Sequence, residues 1–321
     1  MARPAPPTGD TARRLEWHFL PRDLRAAVES RCGSPVVEAR SQTRGFTPGF
    51  ASVLLCEDGS THFVKAASVR AQGVFAAAYR EEARKLSLLP DAVPAPGLAW
   101  VIDHEWVALG IEHVDGRHPL RPWVRADLDA CLAALETVVA ELTPPPEEMG
   151  LGDSTEEFAP FLAHWDDLRA SPPDLPLMAE HLEDAAALAG RYAEVVAGDT
   201  LVHTDVRDDN VLLDTDGRAW FCDWNFPVAG APWLDSLLML VGPRGDGLDV
   251  AAVLAERPLL RDVPADDVDT VIALVTAYFL KSAADPVPPT SPFLRIHQRW
   301  QGEVCWEWLC ERRGWDTQVR T

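Results

Sequence analysis

The sequence predicts an α+β protein with two lobes, in which a five-stranded antiparallel sheet with one helix precedes a mainly helical part. Three observations predict this class. Strand-like runs separated by turns fill residues 36–112, amphipathic helical patterns dominate after residue 120, and a polar loop with a hairpin interrupts those helices. At 321 residues the chain is long enough for two cores. We predict a disordered tail at 1–14, an N-lobe at 15–114 and a C-lobe at 115–321.

The elements of the N-lobe follow from local signals. Pro21 breaks the start of a first helix and Gly33 follows its end, while Asp58-Gly59 marks a tight turn between two strands. A turn-rich link, His-Val-Asp-Gly at 113–116, closes the lobe. The predicted elements are a helix at 15–32, strands at 36–42, 51–57 and 61–67, a helix at 71–89, and strands at 98–103 and 106–112.

The C-lobe is read as helices around the polar hairpin. A proline-rich and acidic stretch at 143–176 is either a loop-rich insertion or a helix pair around 156–169. The remaining helical patterns cover residues 120–142, 179–197, 235–241, 246–256, 265–283 and 293–313.

The composition restricts the compartment and the partners. The N-terminus has no apolar signal region, and the longest apolar runs, such as 271–280, are too short to span a bilayer. Six scattered cysteines without a CxxC pattern indicate reduced thiols. We therefore expect a cytoplasmic protein, monomeric or homodimeric, without a membrane partner.

The net charge of −21 argues against a nucleic-acid partner, because phosphate backbones require basic surface. Residues 1–112 carry 13 acidic and 13 basic side chains, so the whole excess lies in residues 113–321. A field of that sign would attract a polycationic small molecule. A solvated acidic surface that serves solubility explains the same charge, and composition does not separate these two readings.

The polar segment 201–224 concentrates the residues that suggest chemistry. It holds His203, Asp205, Asn210 and Asp223, the last two at the ends of apolar runs that flank Asp216-Gly217. A two-residue turn there would place Asn210 opposite Asp223, with Cβ atoms roughly 5 Å apart. Two oxygen ligands at that separation suit Mg²⁺. An ordinary surface hairpin is the alternative, but it leaves His203 and Asp205 as coincidences.

A second candidate cluster lies upstream. The chain has three lysines against 26 arginines, and Lys65 lies in the middle of a predicted strand. Glu82 falls on the apolar stripe of the 71–89 helix, where a carboxylate needs a partner, and Lys65 is the natural one. Glu81 competes, but it points off the stripe.

The loop 43–50 contains two glycines and joins two antiparallel strands. Such a loop can fold over phosphate groups, because glycine lets backbone N–H groups approach closely. Glycine-bearing hairpin tips are also common for purely structural reasons.

Four segments together resemble the aminoglycoside phosphotransferase family of kinase-like small-molecule kinases. They are LVHTDVRDDNVLL…FCDWN, FVKAA, EARKLSLL and the terminal WEWLCERRGW. The resemblance covers nearly the whole chain after residue 15. It implies a bilobal protein-kinase-like fold, a nucleotide-binding N-lobe, and a C-lobe that holds the catalytic loop and binds the acceptor.

The resemblance also implies roles for the catalytic segment. Asp205 would be the base that orients the acceptor hydroxyl, and His203 would orient the loop. Arg207 would neutralise the transferring phosphate, unless it forms a salt bridge to Asp208 or Asp209. By the same resemblance, Asn210 and Asp223 would hold Mg²⁺, and Asp235 would brace the loop.

In the N-lobe, the implied roles concern ATP or GTP as the phosphoryl donor. Lys65 and Glu82 would position the phosphates, and the Glu112 carbonyl and the Val114 N–H would bind the purine edge. The phosphate-covering loop would present Thr47 and Gly49.

Three departures distinguish the chain from regulated protein kinases. Thr204 replaces the arginine that senses a phosphorylated loop, Asp-Trp-Asn at 223–225 replaces Asp-Phe-Gly, and no Ala-Pro-Glu follows.

The expected activity is therefore Mg²⁺-dependent transfer of the γ-phosphate to a hydroxyl of an antibiotic-like small molecule. An aminoglycoside is the first expectation, in antibiotic inactivation or self-resistance. A nucleoside antibiotic, macrolide, choline-like amine or metabolite is the alternative acceptor, and a pseudokinase scaffold is the non-enzymatic alternative.

Overall fold

The computed structural model describes residues 6–7 and 9–315. The first part is a five-stranded antiparallel sheet in the order β1-β2-β3-β5-β4, so the predicted sheet is confirmed. Its elements are α1 (Arg22–Cys32), β1 (Val36–Ser41), β2 (Phe50–Cys56), β3 (Thr61–Ser68), α2 (Gly73–Leu86), β4 (Leu98–Asp103) and β5 (Trp106–Ile111). The predicted first helix is divided at Pro21, with a 3₁₀ turn at Trp17–Phe19 before α1.

The two faces of this sheet serve different cores. Lys65 lies opposite Ala51 and Leu109, and this face packs against α2. Val64 and Leu54 point the other way and contact the buried stripe of α1. Because side chains alternate along a strand, a slip of one residue would turn Lys65 towards α1. The register of β3 is therefore what places the lysine beside α2.

The second part is mainly helical, which confirms the predicted α+β class. Every residue from 268 to 277 in α10 is buried, so this helix lies in the interior of the second part. The elements are β6 (Gly116–Arg117), α3 (Arg125–Glu141), β7 (Gly152–Asp153), α4 (Ser154–Ala170), α5 (Met178–Ala189), α6 (Tyr192–Val196), β8 (Thr200–Val202), β9 (Val211–Asp214), β10 (Ala219–Phe221), β11 (Val228–Gly230), α7 (Leu234–Met239), α8 (Val241–Gly245), α9 (Val250–Glu256), α10 (Ala265–Ala283) and α11 (Leu294–Arg313).

The acidic stretch at 143–176 forms one helix, α4, and not a pair of helices. Its N-terminus is capped by the Asp153 carboxylate, which accepts the Thr155 N–H at 2.7 Å. Across the described part of the chain, no helix combines the length and the apolar character that crossing a membrane requires.

The described part of the N-terminal tail is ordered, where the sequence predicts disorder. The N–H groups of Thr11 and Ala12 both donate to the Thr43 carbonyl at 3.0 Å, and both residues are buried. The Thr11 hydroxyl donates to the Gly45 carbonyl at 2.8 Å. Local propensity does not show this order, because it comes from contacts with a loop more than 30 residues away. Residues 1–5 and 8 of the predicted tail lie outside the described residues.

Candidate active site

A cavity of about 380 Å³ lies between the α2-facing side of the sheet and the hairpin β9–β10. One end is apolar and the other end is charged. The apolar end is lined by Val53, Phe63 and Ile111, which are neighbours across the sheet, and by Leu212 of the hairpin. The charged end brings together Lys65, Glu82, Asn210 and Asp223 with two arginines, Arg14 and Arg44, whereas Arg40 lies opposite Val53. Six of the predicted site residues therefore line one cavity: Lys65, Glu82, Glu112, Val114, Asn210 and Asp223.

Lys65 forms the predicted ion pair with Glu82. Its Nζ lies 2.8 Å from Glu82 Oε1, and both side chains are buried. The competing carboxylate, Glu81, is half exposed and pairs with Arg84 instead. Lys65 also forms an ion pair with Asp223. Glu82 Oε2 is buried without a hydrogen-bond partner in the described structure, so this carboxylate relies on Lys65 alone.

The predicted register of the hairpin is wrong by one residue. Val211 pairs with Phe221, and the Cys222 N–H donates to the Asn210 carbonyl at 2.9 Å, so Asn210 lies opposite Cys222 and not Asp223. The turn has three residues, because Gly217 takes a left-handed conformation with φ of 79°. Asp214 stabilises this turn by accepting the N–H groups of Asp216 and Arg218 at 2.9 Å.

Asp223 reaches the cavity by another route. It has a φ of 64°, so the chain leaves the ladder at this residue. A left-handed conformation is uncommon for a residue other than glycine and is frequent at functional sites. Lys85 supports the next residues, since its Nζ donates to the Asn225 carbonyl at 3.2 Å. Asn210 and Asp223 therefore share the cavity, although they are not cross-strand partners.

Asp205 is held by two neighbours from its own loop. The Asn210 side-chain amide donates to Asp205 Oδ2 at 2.8 Å and to the Asp205 carbonyl at 2.9 Å. Arg207 forms an ion pair with Asp205 and a two-point pair with Asp209 at 2.9 and 3.0 Å. Burial opposes the charge of Arg207, but these carboxylates raise its pKa. The salt bridge to Asp209, one of the two predicted alternatives, is thus formed in this structure.

Asp235, on α7, fastens the start of the loop 203–210, which is the predicted catalytic loop. Its carboxylate accepts the His203 N–H at 2.6 Å and the Thr204 N–H at 3.0 Å. Thr204 has a φ of 68°, which is a rare conformation for a β-branched residue and costs about 1–3 kcal/mol. The two hydrogen bonds hold that conformation in place. Burial raises the pKa of Asp235 to about 7.

His203 is a structural member of the loop in this geometry. Its Nε2 contacts the Cys222 carbonyl at 2.9 Å and must carry the proton, while Nδ1 accepts the Asp205 N–H at 3.3 Å. The ring is 1% exposed, and burial lowers its pKa to about 4. A neutral imidazole therefore ties the catalytic loop to the hairpin.

The predicted phosphate loop contacts the cavity through different residues. Arg44 and Gly45 line it, whereas Thr47 and Gly49 do not. A Cβ on Gly49 would lie 3.1 Å from the Ala66 carbonyl, and the Gly49 φ is 126°, so this glycine serves close packing on β3. The tail contacts this loop, since Arg14 Nη2 donates to the Arg44 carbonyl at 3.1 Å.

Arg14 also lines the cavity, although it lies in the segment predicted to be disordered and was not predicted as a site residue. Its guanidinium lines the charged end of the cavity, and its Nε is buried without a hydrogen-bond partner among the described residues. No periodicity or motif in the Pro- and Arg-rich tail distinguishes it from Arg13, so no local signal was available.

The apolar end of the cavity offers two open backbone groups. Glu112 is fixed by Gly97, whose carbonyl accepts the Glu112 N–H at 2.8 Å and whose N–H donates to the Glu112 carboxylate at 3.3 Å. Within residues 6–7 and 9–315, the Glu112 carbonyl and the Val114 N–H have no hydrogen-bond partner. A carbonyl acceptor and an N–H donor left open two residues apart on the cavity wall suit a planar ligand edge.

The donor set at the charged end fits a hard divalent cation. Asn210 uses its amide N–H₂ for Asp205, which leaves Oδ1 as its metal-binding atom, and Asp223 supplies a carboxylate in the same cavity. Amide and carboxylate oxygens are the ligands that Mg²⁺ takes together with phosphate oxygens and water.

Comparison with known proteins identifies the family of this chain. The sequence profile of the APH phosphotransferase enzyme family matches residues 55–266. No protein of curated function matches the sequence.

Solved structures share the fold at low sequence identity. An aminoglycoside phosphotransferase from Alicyclobacillus acidocaldarius has a TM-score of 0.53 at 15% identity, over 87% of this chain and 92% of that one. APH(4)-Ia in a ternary complex with ADP and hygromycin B has a TM-score of 0.61 at 13% identity, over 90% and 98%. The choline kinase LicA from Streptococcus pneumoniae has a TM-score of 0.60 at 11% identity, over 89% and 98%. Since the family profile covers well over half of the chain, this protein belongs to the APH phosphotransferase enzyme family.

Proposed function

We propose that this protein is a Mg²⁺-dependent O-phosphotransferase that moves the γ-phosphate of ATP to a hydroxyl of an antibiotic-like small molecule. One observation carries the proposal. Asn210 touches Asp205 on one side and lines the cavity of Lys65, Glu82 and Asp223 on the other, so a base and a phosphate site share one boundary.

The nucleotide would lie with its base in the apolar end of the cavity. Val53 and Phe63 of the sheet and Leu212 of the hairpin line that end, and the Glu112 carbonyl and Val114 N–H are open to a purine edge. ATP is favoured over GTP because neighbouring structures of this fold were solved with ADP, AMP-PNP and AMP. The triphosphate would extend towards Lys65, Arg14 and Arg44.

The chemistry would be assembled by residues of the loop. Asp205 would accept the proton of the acceptor hydroxyl as the new O–P bond forms and the bond to the β-phosphate oxygen breaks, releasing ADP. Mg²⁺ held by Asn210 and Asp223 would neutralise phosphate charge. Lys65, kept in place by Glu82, would orient the phosphates, and Asp235 and His203 would hold the loop in its active shape.

Arg207 would act at the boundary between the two substrates. In this structure it pairs with Asp205 and Asp209, so both of its partners lie in the catalytic loop. A bound γ-phosphate would compete for the same guanidinium, which binds phosphate and carboxylate by the same two-point geometry. Arg207 would then neutralise the transferring group.

A cationic acceptor is favoured by charge and by aromatic surface. The net charge of −21 lies entirely in residues 113–321. Phe161 and Tyr278 stack at 4.2 Å, and burial together with the nearby Asp205 charge raises the pKa of Tyr278, so this stack lies near the base. Aromatic faces and carboxylates both attract ammonium groups. Neighbouring structures contain hygromycin B and spectinomycin, which makes an aminoglycoside the first candidate.

A panel of acceptors with γ-labelled ATP and Mg²⁺ tests the proposal. It should contain aminoglycosides, spectinomycin, choline, a macrolide and a nucleoside antibiotic, with GTP as a second donor. We expect label transfer to an amine-bearing alcohol, and mass spectrometry should identify a phosphate monoester. Transfer only to an uncharged acceptor would refute the acceptor class, and nucleotide binding without transfer to any compound would favour the pseudokinase scaffold.

The proposed lobes keep the predicted boundaries, with nucleotide binding in 15–114 and the catalytic loop and acceptor site in 115–321. Because the reaction consumes ATP, a cytoplasmic location is part of the same proposal.

A further inference from the structure

Three residues of metal-binding types, two cysteines and one histidine, meet on the face of the sheet opposite Lys65. Cys32, Cys56 and His62 each offer a ligand atom, and these atoms all lie within 4.8 Å of one another. None of the three lines the cavity of the proposed active site. Among the described residues, no other group of three or more Cys, His, Asp or Glu side chains brings its ligand atoms this close together.

The fold explains why these residues converge. Leu54 pairs with His62 across the β2–β3 ladder, and Cys56 lies two residues beyond Leu54, so Cys56 and His62 point to the same face. On α1, Leu24, Val28 and Cys32 follow one another at four-residue spacing, and this stripe packs on that face. The packing of α1 therefore brings Cys32 over the end of the hairpin.

The hydrogen bonds around His62 prepare its ring as a ligand. Ser60 Oγ donates to Asp58 Oδ1 at 2.7 Å, so its single proton is used. The 3.1 Å contact between Ser60 Oγ and His62 Nε2 must then be donated by the ring. A neutral imidazole with its proton on Nε2 carries its lone pair on Nδ1. Metal-binding histidines typically donate their second ring N–H to a fixed acceptor, which here is the Ser60 hydroxyl held by Asp58.

The same corner holds further negative charge. Glu29 lies one turn before Cys32, and its Oε1 accepts the Val36 N–H at 3.1 Å. Burial raises the pKa of Cys32 to about 12, and Cys56, Glu29 and Asp58 add to the effect. A cation bound to the two sulfurs would reverse this situation, because it stabilises the thiolates.

We propose that Cys32, Cys56 and His62 form a structural site for a thiophilic divalent cation of the Zn²⁺ class, with Glu29 or water as the fourth ligand. Cysteine sulfur and imidazole nitrogen are the ligand types that Zn²⁺ takes in structural sites, and a fourth ligand would complete the tetrahedron. Bonds of about 2.3 Å to sulfur and 2.0 Å to nitrogen require only a small closure of the observed group. The cation would fasten α1 to the β2–β3 hairpin and take no part in phosphoryl transfer.

Metal titration of the full-length protein tests this site directly. The protein is stripped with a chelator under reducing conditions and titrated with Co²⁺, whose thiolate charge-transfer and d–d absorption report sulfur ligands and tetrahedral geometry. We expect one Co²⁺ per chain with both bands, displacement by one equivalent of Zn²⁺, and a higher Tm with Zn²⁺. A wild-type protein without the thiolate band would overturn the proposal, and this measurement needs no variant.

Variants assign the ligands. Cys56→Ser and His62→Gln should abolish the stoichiometric site, and Ser60→Ala should weaken binding by about 10–100-fold, as removal of a supporting partner does. Cys131→Ala and His104→Gln are the matched controls and should bind like wild type. His62 is partly exposed, so His62→Gln stays informative even where Cys56→Ser unfolds.

Two further results would contradict the site. Binding that is equal in wild type and His62→Gln would place the metal elsewhere. A Cys32–Cys56 disulfide in the purified protein would be seen by mass spectrometry as a loss of two hydrogens. If the reduced protein then shows no response to Zn²⁺, the two cysteines form a redox pair and not a metal site. Phosphotransferase activity on the acceptor panel is independent of all these outcomes.

Discussion

One amide group of Asn210 donates to both oxygens that Asp205 offers on this side, the carboxylate Oδ2 at 2.8 Å and the main-chain carbonyl at 2.9 Å. Asn210 is itself buried and lines the cavity. In the proposed mechanism the base and the metal ligand are therefore coupled through one side chain. The two roles of Asn210 should be separable by experiment, because its amide nitrogen contacts Asp205 and its Oδ1 would bind the metal.

Replacing Asp205 should remove the base and spare the nucleotide site. For Asp205→Ala we expect kcat to fall by about 10²–10⁴, the usual weight of a positioned base, with the Kd for ATP nearly unchanged because Asp205 does not line the cavity. Steady-state kinetics and calorimetric titration measure the two quantities. Asp216→Ala, in the exposed hairpin turn, is the control. Near-normal turnover in Asp205→Ala would remove this residue from the mechanism.

Removal of Mg²⁺ should abolish transfer, and replacing Asn210 should make the enzyme harder to load with metal. EDTA in excess is expected to stop turnover, and added Mg²⁺ should restore it. In Asn210→Ala, the Mg²⁺ concentration for half-maximal rate should rise by about 10-fold or more, since a ligand oxygen is lost. Rates measured across a Mg²⁺ series at saturating ATP decide this. An unchanged Mg²⁺ requirement would exclude Asn210 as a ligand.

Replacing Lys65 should lower the free energy of unfolding more than replacing its partner Glu82. Lys65→Met leaves the Glu82 carboxylate buried without its partner, and breaking a buried pair in this way costs about 3–5 kcal/mol. Glu82→Gln leaves Lys65 paired with Asp223, so its cost in the free energy of unfolding should be smaller. Denaturant unfolding of both variants measures the difference. Equal losses would show that Asp223 does not compensate for Glu82.

Local sequence patterns were sufficient to predict the Lys65–Glu82 ion pair. A carboxylate on an apolar helical stripe needs a cation, and strand alternation leaves Lys65 on the correct face, so two local rules meet at one contact. The same applies to the order of sheet and helices. The hairpin between Asn210 and Asp223 was also predicted, but its register was not, because a three-residue turn with Gly217 left-handed and a two-residue turn begin from the same Asp-Gly pair.

The contacts made by the N-terminal tail were beyond local reasoning. Thr11 and Arg14 take their positions from carbonyl groups of the loop 43–45, which propensity within the tail does not reveal. The same contacts explain why Arg44 and Gly45, and not Thr47 and Gly49, face the cavity. Long-range backbone hydrogen bonds decided both outcomes.

Arg14 should contribute to binding of the triphosphate. Arg14→Ala is expected to raise the Kd for ATP by about 10–100-fold, because a hydrogen bond to a charged group is worth about 1.5–3 kcal/mol. Binding of adenosine should change little, since its base would occupy the apolar end. Arg13→Ala is the matched control, because Arg13 is exposed and does not line the cavity. Equal losses for ATP and adenosine would indicate a structural role of Arg14 in the tail.

The buried His203 should make the protein less stable in mild acid. Its folded-state pKa of about 4 lies below the unfolded value of about 6.5, so the unfolded chain binds a proton that the folded chain refuses between these pH values. Stability is therefore lost as pH falls from 6.5 to 4, by up to about 3 kcal/mol from this group. Asp235 acts in the opposite direction, because its raised pKa of about 7 stabilises the folded state at low pH. This contribution is the same in wild type and in a variant of His203.

A comparison of wild type with His203→Gln isolates the histidine. Glutamine can still donate to the Cys222 carbonyl and accept from Asp205, but it does not titrate, and Asp235 contributes equally to both proteins. We expect the stability difference between wild type and variant to shift by about 3 kcal/mol in favour of the variant as pH falls from 7 to 4. Urea unfolding at several pH values measures this shift. A difference that stays constant with pH would mean that His203 takes up a proton in the folded protein at the same pH as in the unfolded chain, so burial would not hold the ring in the neutral form that contacts the Cys222 carbonyl.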